Sequence, residues 1–281
     1  MQNVEGVGPL ICASQRLFAS SCTGNAEEPA KFLQDIDAER AELNQRLVEE
    51  ITLDKEVWSP GAPIFNPPKV TGKVQLRAVI DAMISRSDNT ATDMMLKHVG
   101  ADRVRNFIRS AGFKTARIPT STRIFFAYLL GERDFRTITW DRLIKLSEAD
   151  APFVNPVIND VETMVCSPHD FVTFYEQALQ GKFFKNEATL NQLKSTLMLA
   201  DAIPLVSPPA TTFYMKGGSV DAASEHALCI AGGAFIPERW VYFSLIVNWK
   251  AETVDAGPVL DQFADACKAI FKDVKEKLGT C

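Results

Sequence analysis

The chain has 281 residues, 46% hydrophobic and 23% charged, with Lys+Arg 30 against Asp+Glu 35 and a net charge near −5. That length suits one large domain or two small ones, and the apolar content is enough for a core, which excludes disorder as the main state. The acidic balance excludes a nucleic-acid binder that relies on a positive field, and no charge-free apolar run approaches the roughly 20 residues of a membrane helix.

The first residues, Met1-Gln2-Asn3-Val4-Glu5, put an acid where an export signal carries a base, and Gln15 and Arg16 soon interrupt the apolar stretch that follows. From Pro29 the residues Phe32, Leu33, Ile36, Leu43 and Leu47 recur with helical spacing, which predicts a helix to about Glu50. A proline-rich loop follows, Ser59-Pro60-Gly61-Ala62-Pro63 and then Pro67-Pro68. Helical patterns resume over residues 76–85, 90–99 and 102–111, with Gly100 and Gly112 as stop signals. Ser167-Pro168-His169-Asp170 reads as a helix start, with a serine cap, proline at the first position and an acid in the first turn; the helix runs through Leu179. Another spans about residues 186–199.

The pattern then changes. Residues 211–215, 227–236 and 240–249 are short, apolar and rich in strand formers; the last two, joined by Pro237-Glu238-Arg239, read as an antiparallel hairpin. An amphipathic helix over about 259–278 closes the chain. Helices, then strands, then a covering helix predict an α+β fold: one domain over 29–281 with a helical lobe and a sheet lobe, preceded by an atypical segment at 1–28.

Six cysteines, Cys12, Cys22, Cys166, Cys229, Cys267 and Cys281, are widely spaced without a CxxC pair and read as small apolar side chains. His98, His169 and His226 have no ligand cluster around them, and the four tryptophans read as packing residues.

Two segments point to chemistry. Ser87-Asp88-Asn89 lies between two predicted helices, and Lys216-Gly217-Gly218-Ser219 ends a predicted strand about 130 residues later. Singly they read as a capping turn and a strand ending at glycines. In this order they resemble the second and third elements of the penicillin-recognising serine hydrolases, S-D-N and K-T/S-G, which follow an S-x-x-K nucleophile. The helix from Asn89 through Thr90-Ala91-Thr92-Asp93 to Gly100 is similar to its counterpart in class A β-lactamases, as are the helix opened by Ser167-Pro168 and the hairpin and terminal helix after Lys216. The resemblance covers roughly residues 30–278. It implies an acyl-enzyme hydrolase of β-lactams or related amides, working outside the cytoplasm on a small-molecule substrate, without metal or organic cofactor. Ser87 would then relay protons, Lys216 would hold the substrate carboxylate, Asn89 would orient the substrate amide, and Gly218 and Ser219 would meet the substrate backbone.

The chain also departs from that family. No serine has a lysine three residues on. The expected place of the nucleophile, just before the segment 31–37, offers Ser21 or Ser20, followed at the third position by Gly24 or Thr23. The family's E-x-x-L-N is absent between Arg117 and Ser167, where Glu132, Glu148 and Glu162 are the available glutamates and Asn155-Pro156-Val157-Ile158-Asn159-Asp160 resembles the loop's end. Gly217 stands where the family has a hydroxyl, for which Ser219 is the available substitute. Without S-x-x-K, a non-catalytic binding protein of the same fold, or a D,D-peptidase or esterase relative, is the alternative expectation.

Overall fold

The computed structural model describes residues 29–148, 153–221, 225–236, 239–251 and 256–279, so Ser20 and Ser21 lie outside the described residues. The helical lobe begins with α1 (Pro29–Leu47), followed by β1 (Glu50–Leu53) and β2 (Gly72–Gln75), which pair antiparallel with Ile51 opposite Val74. Next come α2 (Leu76–Ser85), α3 (Asn89–Val99), α4 (Ala101–Ser110), α5 (Thr122–Leu129), α6 (Trp140–Glu148), α7 (Pro168–Leu179), α8 (Glu187–Leu197) and the short α9 (Ile203–Val206). The sheet lobe is β3 (Thr212–Asp221), β4 (Glu225–Ile236) and β5 (Arg239–Lys250), antiparallel in the order β3-β4-β5, closed by α10 (Ala256–Gly279). This is the expected α+β architecture. Among the described residues no helix is long and apolar enough to cross a membrane.

Apolar spacing and caps account for the helices that position the site. In α2, Leu76, Val79, Ile80 and Met83 recur on one face and are buried. Its C-terminus is marked by Ser87, which takes the left-handed conformation at φ 51°. The start of α7 is as the sequence predicts: Pro168 is in the first turn and the Ser167 hydroxyl accepts from the Asp170 amide. One buried cluster joins the lobes, including Leu53, Val79, Met83 and Met95 of the helical lobe with Tyr175, Met215 and Phe271. In it Phe271 of α10 meets Phe213 and Phe243 edge-on at 4.9 and 4.7 Å. Cys166, Cys229 and Cys267 are buried, at 1–2% exposure.

Two boundaries and several elements differ from the sequence reading. The first helix stops at Leu47 because the chain turns to pair with β2, where the Leu76 amide donates to Glu49 O at 2.8 Å. Strand β3 runs past Met215 to Asp221, since Gly217 and Gly218 stay in the ladder opposite Ile230 and Cys229. Helices α5 and α6 were not anticipated. The α5 sequence, TRIFFAYL, is too uniformly apolar to show a helical period.

Candidate active site

The turn between α2 and α3 is built on a buried carboxylate. Asp88 is 0% exposed. Its Oδ1 accepts from the Ala91 amide at 2.8 Å, capping α3, and its Oδ2 accepts from the Ile64 and Phe65 amides at 2.9 Å each. One side chain thus fixes both the helix start and the proline-rich loop. Asn89 is held by that loop as well, its Nδ2 donating to Pro60 O at 2.7 Å and its backbone amide to Gly61 O at 3.2 Å. Gly61 has φ +72°, and a Cβ there would lie 2.8 Å from Asn89 Nδ2, so this close approach requires glycine.

Strand β3 brings the second motif to the first. The Lys216 ammonium donates to Ser87 Oγ and, at 2.6 Å, to Gly217 O. Lys216 is 4% exposed, whereas Ser87 is open to solvent. Gly217 lacks a side chain for a reason outside its own strand: a Cβ would sit 2.8 Å from Ala202 Cβ, just ahead of α9. The place of the missing hydroxyl is therefore crowded by a methyl group. Ser219 is exposed on the same strand.

These residues share a cleft of about 510 Å³. Lys216 to Val220 form one side, with Arg86, Ser87 and Asn89 on the other; Thr122, Phe125 and Phe126 come from α5, and Leu260, Phe263 and Ala264 from α10. Sequence reasoning missed the residues from α5 and α10 because their approach is purely tertiary. Arg86 could have been noticed as the neighbour of Ser87.

Among the described residues Asp201 is the one carboxylate lining the cleft. Glu132 lies elsewhere, bonded to Arg142 at 2.7 Å, and that hydrogen bond holds its carboxyl below the usual range. Glu162 accepts from the Thr120 amide and hydroxyl at 2.8 and 3.0 Å. The loop before α7 is tied down by Asn159, whose Oδ1 accepts from the Val161 and Glu162 amides at 2.8 Å. Cys229 reaches the cleft, but burial pushes its thiol up to about 12, which removes it as a nucleophile at neutral pH.

Beneath Thr122 lies a buried polar network. Asp93 Oδ1 accepts from the Thr122 amide at 2.6 Å and from Thr122 Oγ1 at 2.9 Å, while its Oδ2 accepts from the Arg123 amide at 3.0 Å. Thr122 Oγ1 also lies 2.7 Å from Ser59 Oγ and 3.3 Å from Asn89 O. Burial pushes Asp93 up to about 6, against the lowering effect of the bonds from Thr122 and Arg123.

A helical lobe meeting an antiparallel sheet, with an S-D-N turn facing a K-x-G strand across the cleft, is the architecture of the β-lactamase/transpeptidase-like fold. The sequence profile of the beta-lactamase enzyme family matches residues 30–230, and the chain belongs to that family. Solved structures agree. A class A β-lactamase from Bacteroides cellulosilyticus is 14% identical, with a TM-score of 0.62 over 97% of this chain and 87% of that one. A class A β-lactamase from Mycobacterium abscessus is 15% identical, with a TM-score of 0.59 over 94% and 82%. A variant of PBP-A solved as its acyl-enzyme complex with penicillin G is 17% identical, with a TM-score of 0.59 over 94% and 80%. At such identities the likeness establishes the fold. No match was found among curated proteins.

Proposed function

We propose that the chain is a serine hydrolase of the class A β-lactamase type, opening β-lactams or related amides and esters through an acyl-serine intermediate. The observation that carries this reading is the contact of Lys216 with Ser87 inside a cleft that also holds Asn89 and the β3 edge. Ser87 relays protons, and Lys216 draws in the substrate carboxylate and keeps the Ser87 hydroxyl oriented. Asn89 orients the substrate amide. Gly218 admits the substrate close to the strand, and the Ser219 backbone pairs with it or donates to the oxyanion. Ser21 is the acyl acceptor in this scheme, by its position ahead of the segment 31–37.

One observation favours a second reading, a binding protein that does not turn over: no serine in the sequence has a lysine three residues later, so the usual Ser–Lys activation has no base. Incubation with a fluorescent penicillin, followed by intact-mass analysis and peptide mapping, separates the two. A covalent adduct of one penicillin per chain is expected. No adduct, together with an uncleaved chromogenic cephalosporin, overturns the hydrolase.

A further inference from the structure

An acyl-enzyme must be released by water, and the cleft's single described carboxylate, Asp201, is solvent-exposed. A second acid, Asp93, stands one hydroxyl away from the cleft. Thr122 lines the cleft, and its Oγ1 is hydrogen-bonded to the Asp93 carboxylate at 2.9 Å. We propose that Thr122 and Asp93 form the proton path for deacylation, with Thr122 Oγ1 taking a proton from the attacking water while passing its own to Asp93. This rests on the acyl-serine reading above.

The step balances without a co-reactant. Water oxygen bonds to the acyl carbon; the water proton moves to Thr122 Oγ1, and the threonine proton moves to Asp93. When the acyl carbon–serine oxygen bond breaks, the proton returns by the same path to the serine oxygen. The surroundings suit the task. Two backbone amides, of Thr122 and Arg123, hold the carboxylate in place without protonating it. Ser59 Oγ, at 2.7 Å, steadies the threonine hydroxyl. The charge acting on Asp93 is the Arg123 guanidinium at the start of α5, which is itself engaged by Lys55 O at 2.7 Å. Asp88, which caps α3, the helix that carries Asp93, is occupied by three amides. A carboxylate titrating at about 6 is ionised at neutral pH and still basic enough to accept a proton in the transition state.

The test follows a fluorescent penicillin on the full chain by intact mass, timing loss of the adduct between pH 5 and 8. Wild type is expected to release the acyl group faster as pH rises through about 6, then level off. Asp93→Asn and Thr122→Val are expected to form the adduct but hold it at least tenfold longer, with no inflection near 6; Thr122→Ser, which keeps the hydroxyl, restores release. If Asp93→Asn does not fold, the Val and Ser pair at Thr122 decides. Equal adduct lifetimes in wild type and Thr122→Val overturn the proton path while leaving the acyl-serine reading standing. No adduct on wild type, with a chromogenic cephalosporin also left uncleaved, overturns both.

Discussion

At Gly217 a side chain is forbidden by a neighbour rather than by the backbone. The glycine stands in a regular ladder, and the obstacle is Ala202 Cβ at 2.8 Å from any added Cβ. Gly217→Thr is therefore expected to cost about 1–3 kcal/mol through overpacking. Adding Ala202→Gly recovers most of that loss, and urea denaturation of the two singles and the double measures the coupling. Additive losses would mean that the two positions do not compete for the same space. Sequence reading found the absence of the hydroxyl at Gly217 but could not supply its cause. Ala202 has no signature of its own and acts only through the fold. Thr122 and Asp93 carried no role in the sequence for a similar reason: the threonine opens a helix that shows no period, and Asp93, although it lies in the segment that resembles a known helix, meets Thr122 only through the fold. Ser87, Asn89 and Lys216 were legible because their spacing along the chain matches a set of motifs, and the structure places all three in one cleft.

Among the elements, α3 depends most visibly on a single side chain. Asp88 satisfies the Ala91, Ile64 and Phe65 amides together, so it joins the helix start to a loop that has no regular structure to hold it. Asp88→Ala leaves buried N–H groups without acceptors and is expected to lower unfolding free energy by about 3 kcal/mol. Asp88→Asn, which keeps one acceptor oxygen, should fall between; urea titration of both variants checks the order. The helices with strong caps or clear amphipathic period, α2, α3, α4 and α7, were the ones the sequence marked well. β1 and β2 escaped because four residues each carry too little pattern, and their pairing across the intervening loop is fixed by contact with one another.

For the molecule as a whole, the cleft lies at the seam of the two lobes. Ser87 and Asn89 belong to the helical lobe, Lys216 to Val220 to the sheet, and Phe263 to the helix that covers the sheet. Its geometry is therefore set by how the lobes dock, through a continuous buried cluster that includes Met83 of α2 and Met215 of β3. The change from helical to alternating pattern along the chain announced the two lobes, but not their seam.

The left-handed backbone of Ser87 has one more consequence. At φ 51° a Cβ is a burden and glycine fits without strain. Ser87→Gly and Ser87→Ala both delete the hydroxyl that meets Lys216, so their difference isolates the backbone. The glycine variant should be the more stable by about 1 kcal/mol in thermal or urea unfolding. A library randomised at position 87 and sorted for folding alone would accordingly rank glycine above alanine and the β-branched residues. Sorted instead for penicillin labelling, the same library would put serine first. Backbone and chemistry ask this position for different residues.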